Sequence, residues 1–352
     1  MVEALDAAGI AVLLTLETSP AWARRDPPPP PHWFLCADAA AIDPADAALA
    51  PPTDPADLAR FAGAVAGRYR GRVWAYEVWR EPNILPRWRR TGPDPEAYGR
   101  LLAAAAAAVR GADPTALVVS AGLAPTTDVG VCYMSDAVFL ARLARGGFLD
   151  AVDAVGIEPF GLREGPQPVS PTRDTLGFAR AELLHATLAR WHVDRPLWAV
   201  AWGWHAAAAS PPSSTSPPHA PAESPWGTHP PAVAARWLGE GWSRARAGWP
   251  WMGPMFVWHL QPHAPPDDPV WGFALLDPSG APTALWDAVA AIAAGDAPPG
   301  PPAVSGSTAE RLRRAWPWLA LAALIAAAAA AVAPMRRRAA LGRSLCRVLA
   351  PP

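Results

Sequence analysis

The chain has 352 residues, enough for one large domain and a tail, since α/β barrels of ~250 residues fold as single domains. Its 30 basic and 31 acidic residues leave a formal net charge of -1, which argues against nucleic acid or another polyanion as a partner. The three cysteines lie far apart without metal-ligand spacing, so they predict neither a zinc site nor a disulfide framework. A bond between Cys36 and Cys132 stays open.

Short apolar runs rich in β-branched and aromatic residues alternate with longer Ala/Leu/Arg patterns, which is the form of repeated βα units. The predicted strands cover residues 10–16, 73–79, 117–120, 154–157, 197–200 and 255–258. The predicted helices cover residues 55–70, 95–111, 135–145, 172–191, 232–247 and 284–294. We therefore expect six βα units in a domain over residues 1–294. Pro-rich stretches at 26–55 and 210–231 interrupt it, either as lids or as disordered insertions.

The chain changes character after this domain. Residues 295–314 form a Pro/Gly/Ser-rich linker. Residues 315–335 are uncharged, and a stretch of this length spans a bilayer core of roughly 30 Å as one helix. More arginines follow this segment than precede it, which predicts that the basic tail at 336–352 is cytoplasmic. We expect a single-pass cell-membrane protein with an extracytoplasmic domain, and a soluble Ala-rich helix is the alternative.

One segment carries the strongest chemical information. Residues 74–83 read Trp-Ala-Tyr-Glu-Val-Trp-Arg-Glu-Pro-Asn, an apolar strand that leads directly into Glu81. Barrel strands present catalytic carboxylates at their C-terminal ends in this way. The segment resembles the Trp-Asn-Glu-Pro motif at the end of strand 4 in clan A retaining glycoside hydrolases, the (β/α)8 TIM-barrel enzymes that include families 5 and 39. The resemblance implies a general acid/base role for Glu81, and it places Arg80 where the family has a sugar-binding Asn.

Further landmarks of this family follow in the right order. Residues 9–23 resemble strand 3 and its Pro-Trp loop, 150–161 resemble strand 6, 195–204 resemble strand 7, and 256–258 resemble strand 8 with its sugar-facing Trp258. This alignment implies a TIM-barrel-like α/β fold in which the first two βα units and a secretory signal peptide are absent from the sequence. An upstream truncation is the expected explanation of both absences.

The active-site positions depart from the family pattern. Ala201 stands where the nucleophilic Glu is expected, and a methyl group cannot form the glycosyl-enzyme ester. The first hypothesis is therefore a pseudoenzyme that binds carbohydrate without hydrolysis. Its candidate sugar-contacting residues are Arg80, Trp79, Trp202, Trp204, His205 and Trp258. The alternative is an active glycosidase in which Glu81 is the acid/base and Glu158, in the strand 6 segment, supplies the second carboxylate.

Other polar residues have weaker signals. Glu77 shares a strand face with Glu81 by alternation, and we expect it to neutralise an arginine. Glu17 is a candidate ligand-binding carboxylate, with a surface salt bridge as the equal alternative. No Ser-His-Asp grouping, Gly-rich phosphate loop or metal motif is present in the sequence, so we predict no cofactor and no metal. Carbohydrate and the membrane are the expected partners.

Overall fold

The computed structural model describes residues 1–24, 48–85, 87–88, 92–167, 170–207 and 226–296. The strands are β1 (Leu13–Leu16), β2 (Ala75–Val78), β3 (Leu117–Ser120), β4 (Val155–Ile157), β5 (Leu197–Trp202) and β6 (Met252–Val257). The helices are α1 (Val2–Ala7), α2 (Pro55–Arg68), α3 (Pro95–Ala112), α4 (Asp136–Arg145), α5 (Arg180–Arg190), α6 (Pro231–Gly248) and α7 (Ala284–Ala294).

All six strands are parallel, and they pair in chain order. Two ladders, β1-β2-β3 and β4-β5-β6, are joined by a parallel bridge between Val119 and Ala154. Between successive strands the chain crosses over through α2 to α6, which leaves the C-terminal ends of the strands at one edge of the sheet. The α/β fold with parallel strands that the sequence predicts is confirmed.

Local sequence explains where the longer crossover helices begin. The Asp54 carboxylate accepts a hydrogen bond from the Ala56 backbone N–H at 2.9 Å, with Pro55 in the first turn of α2. Asp94 caps α3 in the same manner through the Ala97 N–H at 2.9 Å. Side-chain capping by Asp and a Pro in the first turn satisfy donors and fix φ where a helix starts.

Two helices of the structure differ from the prediction. Helix α1 was not predicted, and the helix predicted over 172–191 begins only at Arg180. Residues before it form a turn in which the Thr175 hydroxyl accepts from the Thr172 N–H at 2.8 Å. Gly177 follows with φ 135°, a conformation that side chains rarely adopt, so the helical pattern is broken there.

The inner face of the sheet carries the residues that lead to the candidate site. Ala75, Val119, Ala154 and Trp198 form a buried cluster on this face. Glu77 lies two residues after Ala75 in β2 and is also buried, with 3% of its surface exposed. Glu158 directly follows β4, and Trp258 directly follows β6. The strands therefore deliver these side chains to one end of the sheet.

Cys132 is disulfide-bonded, and its candidate partner Cys36 lies outside the described residues. The predicted linker, membrane helix and cytoplasmic tail also lie outside them. Within the described ranges, no helix combines the length and the apolar character needed to cross a bilayer.

Candidate functional site

Two carboxyl groups from different strands meet at the C-terminal end of the sheet. Glu81 follows β2, and its side chain is 16% exposed. Glu158 follows β4, and its side chain is fully enclosed. The charge of Glu81 and a hydrogen bond between the two carboxyl groups both raise the pKa of Glu158. Such a contact needs a proton on one of the two groups, so the structure brings Glu81 and Glu158 together as an acid pair.

Burial determines which form of Glu158 is favoured. Desolvation raises the pKa of Glu158 well above its ordinary value, and the negative charge of Glu81 raises it further against the opposing charge of Arg80. When both carboxyl groups are ionised, Glu158 Oε2 has no hydrogen-bond donor in the part of the chain that the structure describes. The protonated form of Glu158 removes this unfavourable state, because its hydroxyl donates to an acceptor.

Arg80 connects this pair to an aromatic ring. Its Nε donates to Glu158 Oε1 at 3.3 Å, and its guanidinium lies over the Trp258 ring, 5.3 Å from the ring centroid. Burial lowers the pKa of Arg80, but the surrounding carboxylates, led by Glu158 and Glu81, raise it by more. Arg80 is therefore cationic and held in the site by both charge and ring contact.

Ala201 lies beneath this ring in an apolar cluster. It is 3% exposed and packs with Phe160 and Phe273, against which Trp258 also lies. Phe160 meets the Trp258 ring edge-on at 5.6 Å, and Phe273 approaches it at 5.2 Å. No carboxylate occupies the place of Ala201, and its surroundings would desolvate a charged group there.

Glu77 lies deeper on the same face, and it contacts backbone and hydroxyl groups rather than an arginine. The Thr15 hydroxyl donates to Oε2 at 2.6 Å, and the Gly122 N–H donates to Oε1 at 2.9 Å. Desolvation is the largest cause that raises the pKa of Glu77 to about 7, and these two hydrogen bonds oppose it. Glu77 was expected to neutralise an arginine; its direct partners are Thr15 and Gly122, and its charge also acts on Arg80. Arg80 affects it only through longer-range charge.

Gly122 is a site residue that the sequence reasoning missed. Its carbonyl oxygen accepts from the Glu81 N–H at 2.9 Å, while its own N–H binds Glu77. A Cβ at this position would lie 2.8 Å from Glu158 Cγ and 2.9 Å from Glu158 Oε1. Only glycine allows Glu158 to lie so close to the backbone. The one available signal was a glycine two residues after a predicted strand.

Asn83 fixes the segment that carries Glu81. The fully buried Asn83 amide donates to the carbonyl oxygens of Ala124 and Met134 at 2.8 and 3.0 Å and accepts from the Ala124 N–H at 2.9 Å. Glu81 itself has φ 46°, in the left-handed region, and Arg87 Nε donates to its Oε2 at 3.1 Å. Positive φ values of non-glycine residues concentrate at functional sites, where the surrounding structure holds them.

The remaining residues predicted to contact sugar lie elsewhere. Trp79, Trp202 and Trp204 are at most 1% exposed and belong to the main hydrophobic core. His205 is 6% exposed, with Nε2 against the Pro269 carbonyl oxygen at 2.7 Å and Nδ1 against the Thr228 hydroxyl at 3.2 Å. Of the predicted sugar-contacting residues, only Arg80 and Trp258 are partly exposed beside the acid pair.

Two further residues, Glu17 and His259, lie near this group. The carboxylate of Glu17, which follows β1, contributes to raising the pKa of both Glu77 and Arg80. His259 stacks on Trp258 with ring centroids 4.5 Å apart, and burial lowers its pKa. Within the described ranges, no group of three His, Cys, Asp or Glu side chains is arranged to hold a metal ion.

The protein is similar to known proteins in structure but not in sequence. The sequence matches no protein-family model, and no curated protein matches it. The fold is similar to that of a solved glycoside hydrolase, in agreement with the fold that the Glu-Pro-Asn segment predicts.

Particular structures give the extent of this likeness. A monomeric β-xylosidase from Caulobacter crescentus CB15 is similar with a TM-score of 0.50 and 18% identity, over 83% of this chain and 55% of the xylosidase. A family 39 glycoside hydrolase from Bacteroides cellulosilyticus WH2 gives 0.49 and 18%, over 82% of this chain and 59% of the hydrolase. This chain therefore spans somewhat over half the length of each. Similarity at this identity shows the fold and leaves the activity to the site.

Proposed function

We propose that the protein is a membrane-anchored carbohydrate-binding domain with a glycoside-hydrolase-like fold and no hydrolytic turnover. The contact between the carboxyl groups of Glu81 and Glu158 is the observation that carries this proposal. Retaining glycosidases hold their two carboxyl groups about 5–5.5 Å apart, and inverting ones hold them about 6.5–9.5 Å apart. A pair of carboxyl groups close enough to share a hydrogen bond matches neither separation.

The absence of a nucleophile in the strand 7 segment supports the same proposal. Ala201 is enclosed by Phe160 and Phe273, so this place offers neither a carboxylate nor polar partners for one. Glu158 is the remaining candidate nucleophile, but its pKa is raised well above the ordinary value, mainly by burial. A protonated carboxyl group does not attack an anomeric carbon.

The proposed ligand is a chain of β-linked xylose or glucose units. Structurally similar proteins include β-xylosidases, a xylanase A and a β-glucanase, and these names indicate the ligand class. The partly exposed Trp258 ring and the neighbouring carboxyl groups are the kinds of group that sugars contact through C–H faces and hydroxyls.

We place this domain outside the cytoplasm, anchored by the uncharged segment 315–335. The disulfide at Cys132 supports this placement, because disulfides persist mainly in oxidising compartments. The excess of arginine after the segment supports a cytoplasmic tail.

Turnover assays on the full chain test the proposal against the alternative of an active glycosidase. Aryl β-xylosides, aryl β-glucosides and xylo-oligosaccharides are incubated with the protein and with its Glu81→Gln and Glu158→Gln variants. We expect no hydrolysis above background in any of the three. Hydrolysis by the unmodified protein that is lost in Glu81→Gln would instead establish the enzyme, because it would require the acid/base role of Glu81.

A further inference from the structure

Two features that suit a sugar lie side by side at the candidate site. Trp258 is partly exposed, and Arg80, which lies over its ring, also contacts Glu158 of the acid pair. An aromatic ring with convergent polar groups at the edge of a fold is the usual composition of a small-ligand site. A single sugar ring that stacked on Trp258 would therefore take the place of the Arg80 guanidinium, whose side chain extends from this ring to Glu158.

One side chain of this protein already uses both features. The Arg80 guanidinium lies over the Trp258 ring, 5.3 Å from its centroid, within the range of a cation–π interaction. The same side chain donates from Nε to Glu158 Oε1 at 3.3 Å. Only 21% of the Arg80 side chain is exposed, so the space over the Trp258 ring and beside Glu158 is already occupied by this side chain.

We propose that Arg80 is an internal occupant of the innermost sugar position, so that the protein binds oligosaccharides through outer units and does not bind single sugars. This inference rests on the carbohydrate-binding function proposed above. It assigns Arg80 a specificity-determining role. A monosaccharide has to displace the guanidinium from both the ring and the carboxylate, whereas the outer units of a longer chain make contacts that do not compete with it.

Charge around the site opposes displacement of Arg80. The negative charge of the Glu81–Glu158 acid pair, together with the carboxylates of Glu77 and Glu17, favours the cation at this position. A monosaccharide is neutral, so it cannot replace the attraction between the Arg80 cation and these carboxylates. Removal of the guanidinium leaves Glu158 enclosed, and its raised pKa allows it to become a neutral hydrogen-bonding acid rather than an unpaired charge.

Arg80→Asn and Arg80→Gln test the inference in the full chain. Asn clears the ring entirely, and Gln removes the charge while it keeps most of the length. Binding of D-xylose, D-glucose, xylohexaose and cellohexaose is followed by titration calorimetry and by saturation-transfer NMR. We expect monosaccharide affinity to rise by at least about tenfold in Arg80→Asn, which corresponds to about 1.4 kcal/mol.

Arg142→Asn is the matched control. Arg142 also pairs with a glutamate, donating from Nε to Glu96 Oε1 at 3.1 Å, but it lies on α4 away from the sheet end. We expect this variant to bind sugars as the unmodified protein does. Near-ultraviolet circular dichroism verifies folding of each variant. If Arg80→Asn does not fold, monosaccharide binding by Arg80→Gln tests the inference.

The outcomes separate this inference from the function on which it rests. Oligosaccharide binding by the unmodified protein, with unchanged monosaccharide affinity in both folded Arg80 variants, overturns the inference and leaves the proposed function intact. An unmodified protein that binds no oligosaccharide, together with new monosaccharide binding in Arg80→Asn, supports Arg80 as the occupant of this position and overturns both the outer-unit binding and the proposed function. The same increase in Arg142→Asn would also overturn the inference.

Discussion

Glu77 is an acid whose burial makes the stability of the fold depend on pH. Its folded pKa is about 7, raised from 4.5, so the folded state holds this proton more tightly than the unfolded chain does. The stabilisation is complete below pH 4.5 and is lost as pH rises toward about 7. A shift of this size corresponds to about 3 kcal/mol of unfolding free energy.

We predict that Glu77→Gln removes this pH dependence. The Gln amide reproduces the protonated acid, because its oxygen accepts from the Gly122 N–H and its NH2 donates to the Thr15 hydroxyl. Urea unfolding at pH 4.5, 6 and 7.5 is the measurement. The variant should match the unmodified protein at the lowest pH and exceed it by up to about 3 kcal/mol at the highest. Stability curves that run parallel across this range would contradict the prediction.

Gly122 is the residue whose backbone allows the acid pair to form. Gly122→Ala places a Cβ 2.5 Å from Val200 Cγ2 and 2.8 Å from Glu158 Cγ, so we predict a loss of about 1–3 kcal/mol in unfolding free energy from overpacking against both side chains. Gly111→Ala is the control, because nothing lies within 4 Å of its Cβ position in α3 and alanine favours a helix. Chemical denaturation of both variants is the measurement, and equal effects would exclude the close contact with Glu158.

At the scale of single residues, the sequence predicted the two glutamates of the candidate site but not the role of its glycine. Glu81 and Glu158 were found because each follows an apolar strand, and parallel strands place their ends together. The role of Gly122 was missed because a close backbone approach depends on a neighbour 36 residues away in the chain. Three predicted sugar contacts, Trp79, Trp202 and Trp204, are buried in the core because large aromatic rings are also favoured packing residues.

At the scale of elements, α4 and α5 are joined by a buried ion pair. Arg180 donates from Nε to both carboxylate oxygens of Asp136, at 2.9 and 2.7 Å, and each side chain is 2% exposed. Arg180 also donates to the Thr175 carbonyl oxygen at 2.6 Å, in the turn that precedes α5. The pair therefore fixes the start of α5 against the first turn of α4.

We predict that Arg180→Met costs about 3–5 kcal/mol of unfolding free energy, because it leaves the Asp136 carboxylate buried without a partner. Asp136→Leu combined with Arg180→Met should recover part of this loss, since no charge is then buried. Arg60→Ala, which removes an exposed pair with Asp57 on α2, should cost at most about 1 kcal/mol. Urea unfolding of the four proteins is the measurement. Equal losses at Arg60 and Arg180 would contradict the account.

Element prediction succeeded where the pattern was local and failed where it was not. The six strands were predicted because each is a short apolar run with its own boundary residues. The start of α5 was predicted too early, since a local turn at Thr172–Thr175 precedes the helix and a tertiary contact, the pair of Arg180 with Asp136, holds its first residue. A helical pattern in the sequence does not show where such contacts form a turn in place of a helix.

At the scale of the whole molecule, inner strands of the described sheet are more deeply buried than its two outer strands. Strands β2 and β4 are fully buried, whereas every residue of β6 and three of the four in β1 are partly exposed. β1 and β6 are the two ends of the described strand order. The fold class was therefore predictable from the βα alternation, but the exposure of its outer strands was not, because it depends on what covers them.

The proposed membrane anchor is the uncharged segment 315–335 of the full chain. We predict that Leu321→Arg combined with Leu324→Arg releases the protein from the membrane fraction, because each arginine at a helix centre costs about 2.5–3.5 kcal/mol of insertion free energy. Ala303→Arg in the linker segment should leave it membrane-bound. Carbonate extraction followed by immunoblotting is the measurement, and release of the unmodified protein into the soluble fraction would contradict the anchor.

Binding without cleavage is tested most directly by one titration. Xylohexaose is titrated into the full chain in a calorimeter, and the sugar recovered from the cell is then resolved by chromatography. The account predicts saturable heat with a stoichiometry near one and a hexasaccharide recovered intact. Shorter xylo-oligosaccharides in the recovered material, absent when Glu81→Gln is used, would contradict it and establish a glycosidase.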